Sequence, residues 1–337
     1  MSKQGLTATP QEDTAVSLQE VSKVFWQWQR ETGAKRLIKN LFSPEKRVIS
    51  ALNEVSFEVN YGEIVAYAGP NGAGKSTTMK LLAGMLLPTK GEIAVLGMSP
   101  YKQRIRVMQR LGVLFGNRTE LWWDHPVKQS FEWKRVVWEI PDATYQRNLA
   151  LVCELLEIGG LLGTFARELS LGQRMRADLA MMLLHSPSLI LLDEPTLGLD
   201  VVAKRQMIAF LKRINKEEGV TILVSSHDMD DLEEMAERIL MISQGKIAYD
   251  GNFDGLREIT GMPAHIRLTM ESGIIPNVPM LDVQETSNGI FEFEVDISKL
   301  PIKELLGILS QVEGIRDVEI RKAPIEQVIA ELYRTWS

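Results

Sequence analysis

From Val16 onward, short apolar runs of strand length alternate with longer stretches of helical period. The strand candidates are VSLQEVSKVF, VSFEV, IVAYAG, LGVLF, LILLD, TILVSS and ILMIS. LILLD and TILV are apolar at almost every position, the pattern of parallel strands covered on both faces. Helical stretches stand between several of these runs, which predicts an α/β domain. The stretch from about 120 to 185 is mostly helical in period and reads as a helical subdomain set between strands.

The pattern changes around Gly251–Gly261. HIRLTME and IFEFEVD alternate cleanly, with Ile266, Leu268 and Met270 on one face of the first and Phe291, Phe293 and Val295 on one face of the second. Asn288-Gly289 just ahead of the second run is a hairpin turn signal. The last helix opens at Pro324 and repeats Ile325, Val328, Ile329 and Leu332 along one stripe. The chain therefore divides into an α/β domain over 15–255 and a small C-terminal α+β domain over 260–337, in which no chemical constellation stands out. Residues 1–14, MSKQGLTATPQEDT, are polar, lack the apolar stretch of a secretory signal and read as a disordered tail.

One insert interrupts the first domain at about 26–47. It holds Arg30, Lys35, Arg36, Lys39, Lys46 and Arg47 against Glu31 and Glu45, and Leu37, Ile38, Leu41 and Phe42 fall on one helical face. Two readings stand: a solvated amphipathic surface helix, or a contact with a membrane partner or anionic lipid.

Composition narrows the partners. A length of 337 residues with 45% hydrophobic and 24% charged side chains is that of a globular protein with more than one core. The net charge of −6 argues against a nucleic-acid partner held by overall basicity. A single cysteine, Cys153, excludes an internal disulfide. The apolar runs break well before the roughly 20 residues that cross a bilayer, so membrane association has to come through a partner or a surface contact.

The chemistry is concentrated in two motifs. Gly69, Pro70, Asn71, Gly72, Ala73, Gly74, Lys75, Ser76 and Thr77 form a complete G-x-x-x-x-G-K-[ST] loop, followed by Thr78, between the strand IVAYA and a helical run. Its glycines let backbone N–H groups ring a phosphate chain at a helix N-terminus, Lys75 reaches the β- and γ-phosphates, and Ser76 offers its hydroxyl to Mg2+. LILLDEP supplies the second: Asp193 emerges at the strand's C-terminal edge, where a carboxylate holds Mg2+ through its water shell. Glu194 follows, placed to polarise an attacking water. Together they predict nucleoside triphosphate hydrolysis.

With LSLGQ at Leu169–Gln173, LGLD at Leu197–Asp200 and His227 after TILVSS, these motifs resemble, in content and order, those of the ABC ATPases over about Val16–Gly255. The resemblance implies a P-loop NTPase core binding ATP with Mg2+, and a head-to-tail dimer with a second copy of the chain around two ATP molecules. Ser170, Gly172 and Gln173 of one copy would meet the γ-phosphate held by the other, Asp200 would link the two sites, and His227 would hydrogen-bond the γ-phosphate. Adenine would stack on an aromatic at the end of the first strand, Phe25 or alternatively Trp26. His125, His185 and His265 lie in no motif and read as structural.

In that family a glutamine sits where the strand after the nucleotide loop ends, touching Mg2+ and the water. This chain has Asn117 there, one methylene shorter, which puts direct ligation in doubt. The neighbouring ELWWDHP run lies where exporter ATPases receive a short helix of the membrane subunit; Trp122 and Trp123 read as docking residues, as residues that shape the docking loop, or as subdomain core, and Trp133 and Trp138 as subdomain core. The whole run resembles the drug-export branch of bacterial type-two ABC exporters, which pair with a separate six-helix permease. That implies a location on the cytoplasmic face of the bacterial inner membrane, held there by the permease. The alternatives are a polysaccharide-export ATPase and a soluble, non-transport ABC ATPase.

Overall fold

The structure is a computed structural model and describes residues 13–28, 46–115, 119–271, 284–287, 289–296 and 299–336. The chain separates into two compact units, Met1–Asp250 and Gly251–Ser337.

The first unit opens with β1 (Thr14–Trp28) and β2 (Lys46–Asn60), followed by β3 (Ile64–Ala68) and α1 (Lys75–Leu82). Next come β4 (Lys90–Val95), α2 (Arg104–Met108) and β5 (Leu111–Phe115). Three helices follow: α3 (Val127–Val137), α4 (Asp142–Leu155) and α5 (Leu171–Leu183). The rest alternates: β6 (Leu189–Asp193), α6 (Val201–Glu218), β7 (Thr221–Ser225), α7 (Met229–Met235), β8 (Arg238–Ser243) and β9 (Lys246–Asn252).

β5, β6, β7, β3, β8 and β9 form one sheet in that order, with β3 paired in parallel to β7 and β8. The side chains Leu189–Leu192 and Thr221–Ser225 are all buried, because helices cover both faces of a parallel sheet. β8 and β9 are joined by Gln244 and Gly245 at φ +49° and +75°, the backbone of a two-residue primed turn that matches strand twist. β2, β1 and β4 make a separate three-stranded antiparallel sheet.

β1 and β2 are longer than the hydrophobic pattern predicts. They pair from Thr14↔Asn60 to Trp28↔Lys46, with bulges near Leu18–Val24 that break the alternation a sequence reading relies on. Thr14 belongs to β1 and not to the tail, Asp13 O just before it accepts from Tyr61 N at 2.9 Å, and 1–12 lie outside the described residues. The two ends of the insert extend β1 and β2, since Gln27 pairs with Arg47 and Trp28 with Lys46. Its middle, 29–45, including Leu37, Ile38, Leu41 and Phe42, also lies outside the described residues.

The second unit carries α8 (Phe253–Thr260), β10 (Ala264–Met270), β11 (Gln284–Ser287) and β12 (Ile290–Val295). It ends with α9 (Ile302–Leu309), β13 (Ile315–Arg321) and α10 (Ile325–Trp336). Its antiparallel sheet runs β11-β12-β10-β13. Ile266, Leu268, Met270, Phe291, Phe293 and Val295 share one buried face with Leu305 and Leu309 of α9. The turn at Gly289, φ +75°, joins β12 to β11 and not to β10. β11, QETS, has too little apolar character to be read as a strand. Ile325, Val328, Ile329 and Leu332 are buried as the helical stripe predicts.

Candidate active site

β3 ends at the fully buried Ala68, and the chain turns through Gly69–Gly74 into α1. Gly74 sits at φ +118°, and a Cβ there would stand 2.7 Å from the Ala51 carbonyl oxygen, so the turn admits only glycine. Gly74 also has no side chain with which to cap α1, and the amides of the helix's first turn are left without intrahelical partners. Those donors and the helix dipole favour an anion.

Lys75 is folded back onto the loop. It is only 8% exposed, and its Nζ donates to Gly69 O at 2.6 Å and to Pro70 O at 3.4 Å. Burial pulls its pKa down, and the charges of Glu194 and Asp193 oppose that pull. The acids and the lysine therefore face one another across the loop. Thr78 Oγ1 donates to Gly74 O at 3.2 Å and meets the Tyr67 hydroxyl at 3.0 Å, which pins the start of α1 to β3. Burial raises the Tyr67 pKa, so that hydroxyl keeps its proton. Pro70, Asn71, Gly72, Ala73, Ser76 and Thr77 complete the turn, with Ser76 exposed at its mouth.

Asp193, Glu194 and His227 reach the same sheet edge. Because Asp193 pairs with Ser225 in register, the ends of β6 and β7 lie side by side, next to β3. The hydroxyl of Ser225 donates to Asp193 Oδ1 at 2.6 Å and fixes that carboxylate. Glu194 turns out of β6 at φ +58°, held by its N–H donating to Ser225 O at 2.9 Å. His227 Nδ1 lies 2.6 Å from Glu194 Oε2, and the His227 backbone N–H donates to the same oxygen at 3.2 Å. The His227 side chain is 60% exposed and that of Glu194 23%, so the pair opens to solvent.

For a magnesium ion the donor set fits in kind: the hydroxyl of Ser76 and one carboxylate, Asp193, both hard oxygen donors. Among the described residues no group of three or more His, Cys, Asp or Glu side chains could hold a metal. An ion here would therefore depend on phosphate oxygens as well, as Mg2+ commonly does.

The signature residues lie in a second cluster. Ser170 caps α5 through a reciprocal box, in which Gln173 N donates to Ser170 Oγ at 3.2 Å and Ser170 N donates to Gln173 Oε1 at 2.9 Å. Asp200 caps α6, accepting from Ala203 N at 2.8 Å. The two helix starts touch: a Cβ on Gly198 would come 2.9 Å from Leu171 Cδ2, and one on Gly172 would lie 3.7 Å from Ala203 Cβ. Leu171, Leu197, Val201 and Val202 are exposed around this junction.

Phe25 is half-buried with Lys23 Nζ 5.1 Å from its ring centre, whereas Trp26, on the opposite face of β1, is largely exposed. Asn117 lies outside the described residues. The tryptophan reading needs correction at Trp133. It is exposed and stacks, tilted, on Trp122 at 5.6 Å, so it belongs to the surface run and not to the subdomain core. Trp138 is half-buried, with the Lys134 ammonium 4.9 Å from its ring centre.

Ser225 was not foreseen as a support for Asp193. Its signal was SS at the end of TILVSS, polar residues closing a buried strand.

An edge where a phosphate-binding loop, a buried lysine and two acids converge from neighbouring parallel strands is that of a P-loop nucleotide-hydrolysing cassette. The family model described as "ABC transporter" matches residues 52–197. The ABC transporter ATP-binding protein NatA of Bacillus subtilis is 31% identical over 217 residues, covering 64% of this chain and 88% of NatA. The probable multidrug ABC transporter ATP-binding protein YbhF of Escherichia coli is 33% identical over 228 residues, 67% of this chain and 39% of YbhF. The energy-coupling factor transporter ATP-binding protein EcfA of Methanoculleus marisnigri is 31% identical over 243 residues, 72% of this chain and 86% of EcfA. Among solved structures, an ATP-binding subunit of an ABC transporter superposes with TM-score 0.61 at 23% identity, covering 74% of this chain and 94% of that one. The chain belongs to the ABC transporter family as an ATP-binding, ATP-hydrolysing subunit.

Proposed function

We propose that this chain is the ATPase of an ABC exporter, working as two copies that close around two ATP molecules and drive a separate multi-span permease. The convergence of Lys75, Asp193, Glu194 and His227 at one sheet edge carries the hydrolytic part of this reading. Lys75 and the first-turn amides of α1 bind the phosphates, with Gly69–Thr78 forming the cradle. Ser76 and Asp193 would hold Mg2+, with Asn117 as a further candidate contact, and the ion would draw charge from the phosphate oxygens. Glu194 orients and deprotonates the attacking water, and His227 positions Glu194 and the γ-phosphate. Ser170, Gly172 and Gln173 of the second copy close the site from the other side, and Asp200 joins the two halves. Phe25 stacks on adenine, with Trp26 the alternative.

The dimer reading is supported by the exposed Leu171, Leu197, Val201 and Val202 beside the signature turn, apolar surface that a second copy would cover. The permease reading is supported by the exposure of Trp122, Trp123 and Trp133, with Trp122 stacked on Trp133; exposed aromatic residues are typical anchors of an interface. No described helix is long and apolar enough to cross a membrane. The permease would hold the chain at the cytoplasmic face of the inner membrane.

Two measurements test this. The tagged chain, recovered from detergent-solubilised membranes, should bring with it a multi-span protein, and recovery of soluble partners alone counts against transport. Direction is read in everted vesicles carrying both proteins and a panel of fluorescent drugs. ATP-dependent accumulation inside the vesicles supports export; ATP-dependent loss supports import, the direction open to a chain that also resembles an energy-coupling factor ATPase.

A further inference from the structure

Helix α5 carries one acid in an otherwise apolar stretch. Asp178 is buried eight residues beyond the cap Ser170, two turns along the same helix. Its Oδ1 accepts from Thr119 Oγ1 at 2.9 Å and from the Glu120 backbone N–H at 3.0 Å. Thr119 Oγ1 in turn accepts from Leu121 N at 3.1 Å, and Trp122 N donates to the buried Ser130 Oγ at 2.9 Å. One carboxylate oxygen thus ends a short chain of bonds that fixes the backbone leading into Trp122 and Trp123.

Two more contacts bind the same segment. The buried Lys134 of α3 reaches Glu120 Oε2 at 3.2 Å, and its charge lies close enough to act on Asp178. Arg174, in the first turn of α5, places its guanidinium 5.8 Å from the centre of the Trp123 ring. Burial pushes the Asp178 carboxyl up to about 6, against the pull of its two hydrogen bonds. A buried acid carries a desolvation cost that an alanine at this helical position would not, so a packing role alone gives no reason for it.

We propose that Asp178 is a positioning residue that ties the Trp122–Trp123 segment to the signature helix, so that movement of Ser170 on nucleotide engagement and displacement of the tryptophans are one event. This rests on the reading of Ser170 as a residue that meets nucleotide. The tie is a hydrogen-bond acceptor at a fixed place, and an amide oxygen serves that purpose as well as a carboxylate.

The test uses the full-length chain in a Glu194→Gln background with ATP and Mg2+, reading tryptophan emission and, separately, nucleotide Kd. The otherwise unsubstituted background should show an ATP-induced emission change that disappears in Trp123→Phe. Asp178→Ala should cut its amplitude at least fivefold while Kd stays within twofold. Asp178→Asn should keep at least half of it, and Thr119→Val, which removes one donor and leaves the acid, should give an intermediate loss. The proposal is overturned if Asp178→Ala keeps the full amplitude, if amplitude and Kd fall together, or if Asp178→Asn behaves as Asp178→Ala. A background chain that binds ATP without any change at Trp123 overturns the coupling alone. One that does not bind ATP overturns the nucleotide reading with it.

Discussion

His227 and Glu194 are locked together twice, ring nitrogen to carboxylate at 2.6 Å and backbone N–H to the same oxygen at 3.2 Å. The histidine thus sets the direction in which the Glu194 carboxylate points, and leaves its other oxygen for a water. The pair opens to solvent, and the Glu194 charge lies close enough to Lys75 to act on it.

Replacing Glu194 by glutamine keeps an acceptor for His227 but removes the base. Turnover should fall ~10²-fold or more, in line with the usual worth of general-base catalysis, while ATP still binds. The variant should run as a dimer in size-exclusion chromatography with ATP present. Near-normal phosphate release would place the base elsewhere. His227→Ala should lose less than Glu194→Gln, since it misdirects the base without deleting it.

Lys75 makes its contacts inside the loop, to Gly69 O and Pro70 O. Lys75→Met should weaken ATP binding roughly tenfold or more by calorimetry, a loss of about 1.4 kcal/mol or greater for a charge-assisted contact. The melting temperature without nucleotide should move little, because the removed ammonium was itself costly to bury.

Gly74→Ala tests the loop's geometry. Its φ of +118° and the 2.7 Å approach to Ala51 O together should cost about 1–3 kcal/mol, seen as a lower melting temperature of the nucleotide-free chain. An unchanged melting temperature would mean that the turn relaxes freely.

His185 gives a pH signature. Nε2 donates to Leu111 O at 3.1 Å, Nδ1 is buried without a partner, and burial holds the imidazole down at about 4. The unfolded chain takes up this proton near 6.5 and the folded chain only near 4, so stability falls as pH drops through that window. Relative to His185→Gln, the wild type should lose on the order of 2 kcal/mol between pH 7 and 4 in urea melts. A constant difference across that range would exclude a buried neutral ring.

Trp122→Ala with Trp123→Ala should leave basal ATPase nearly unchanged and lower the melting temperature, since both rings are half exposed and Trp122 gives up its stack on Trp133. Recovery of a membrane protein with the tagged chain should drop severalfold. Unaltered recovery would move the docking surface away from these rings.

The hydrolytic edge was legible because its strands are apolar without interruption and its acids and glycines follow them directly. LILLD and TILV left no doubt about burial, and the turn after IVAYA can be made by few other residues. What the pattern could not reveal lies where partners are distant in sequence or strands face water. β2 is longer than VSFEV because its first half pairs with β1 at an exposed edge, where no hydrophobic alternation is required. Trp133 falls on a helix spacing that suits a core, yet its ring finds Trp122 at the surface. Asp178 gave a faint signal, one acid in RADLAMML, but Thr119 stands 59 positions earlier and no local rule joins them.

Glu194 occupies a left-handed backbone that most side chains resist. Selection for sturdiness alone would put glycine or asparagine there and gain ~1 kcal/mol. A directed-evolution screen for heat tolerance, run without ATP hydrolysis as a filter, should therefore enrich dead proteins first, and at this codon.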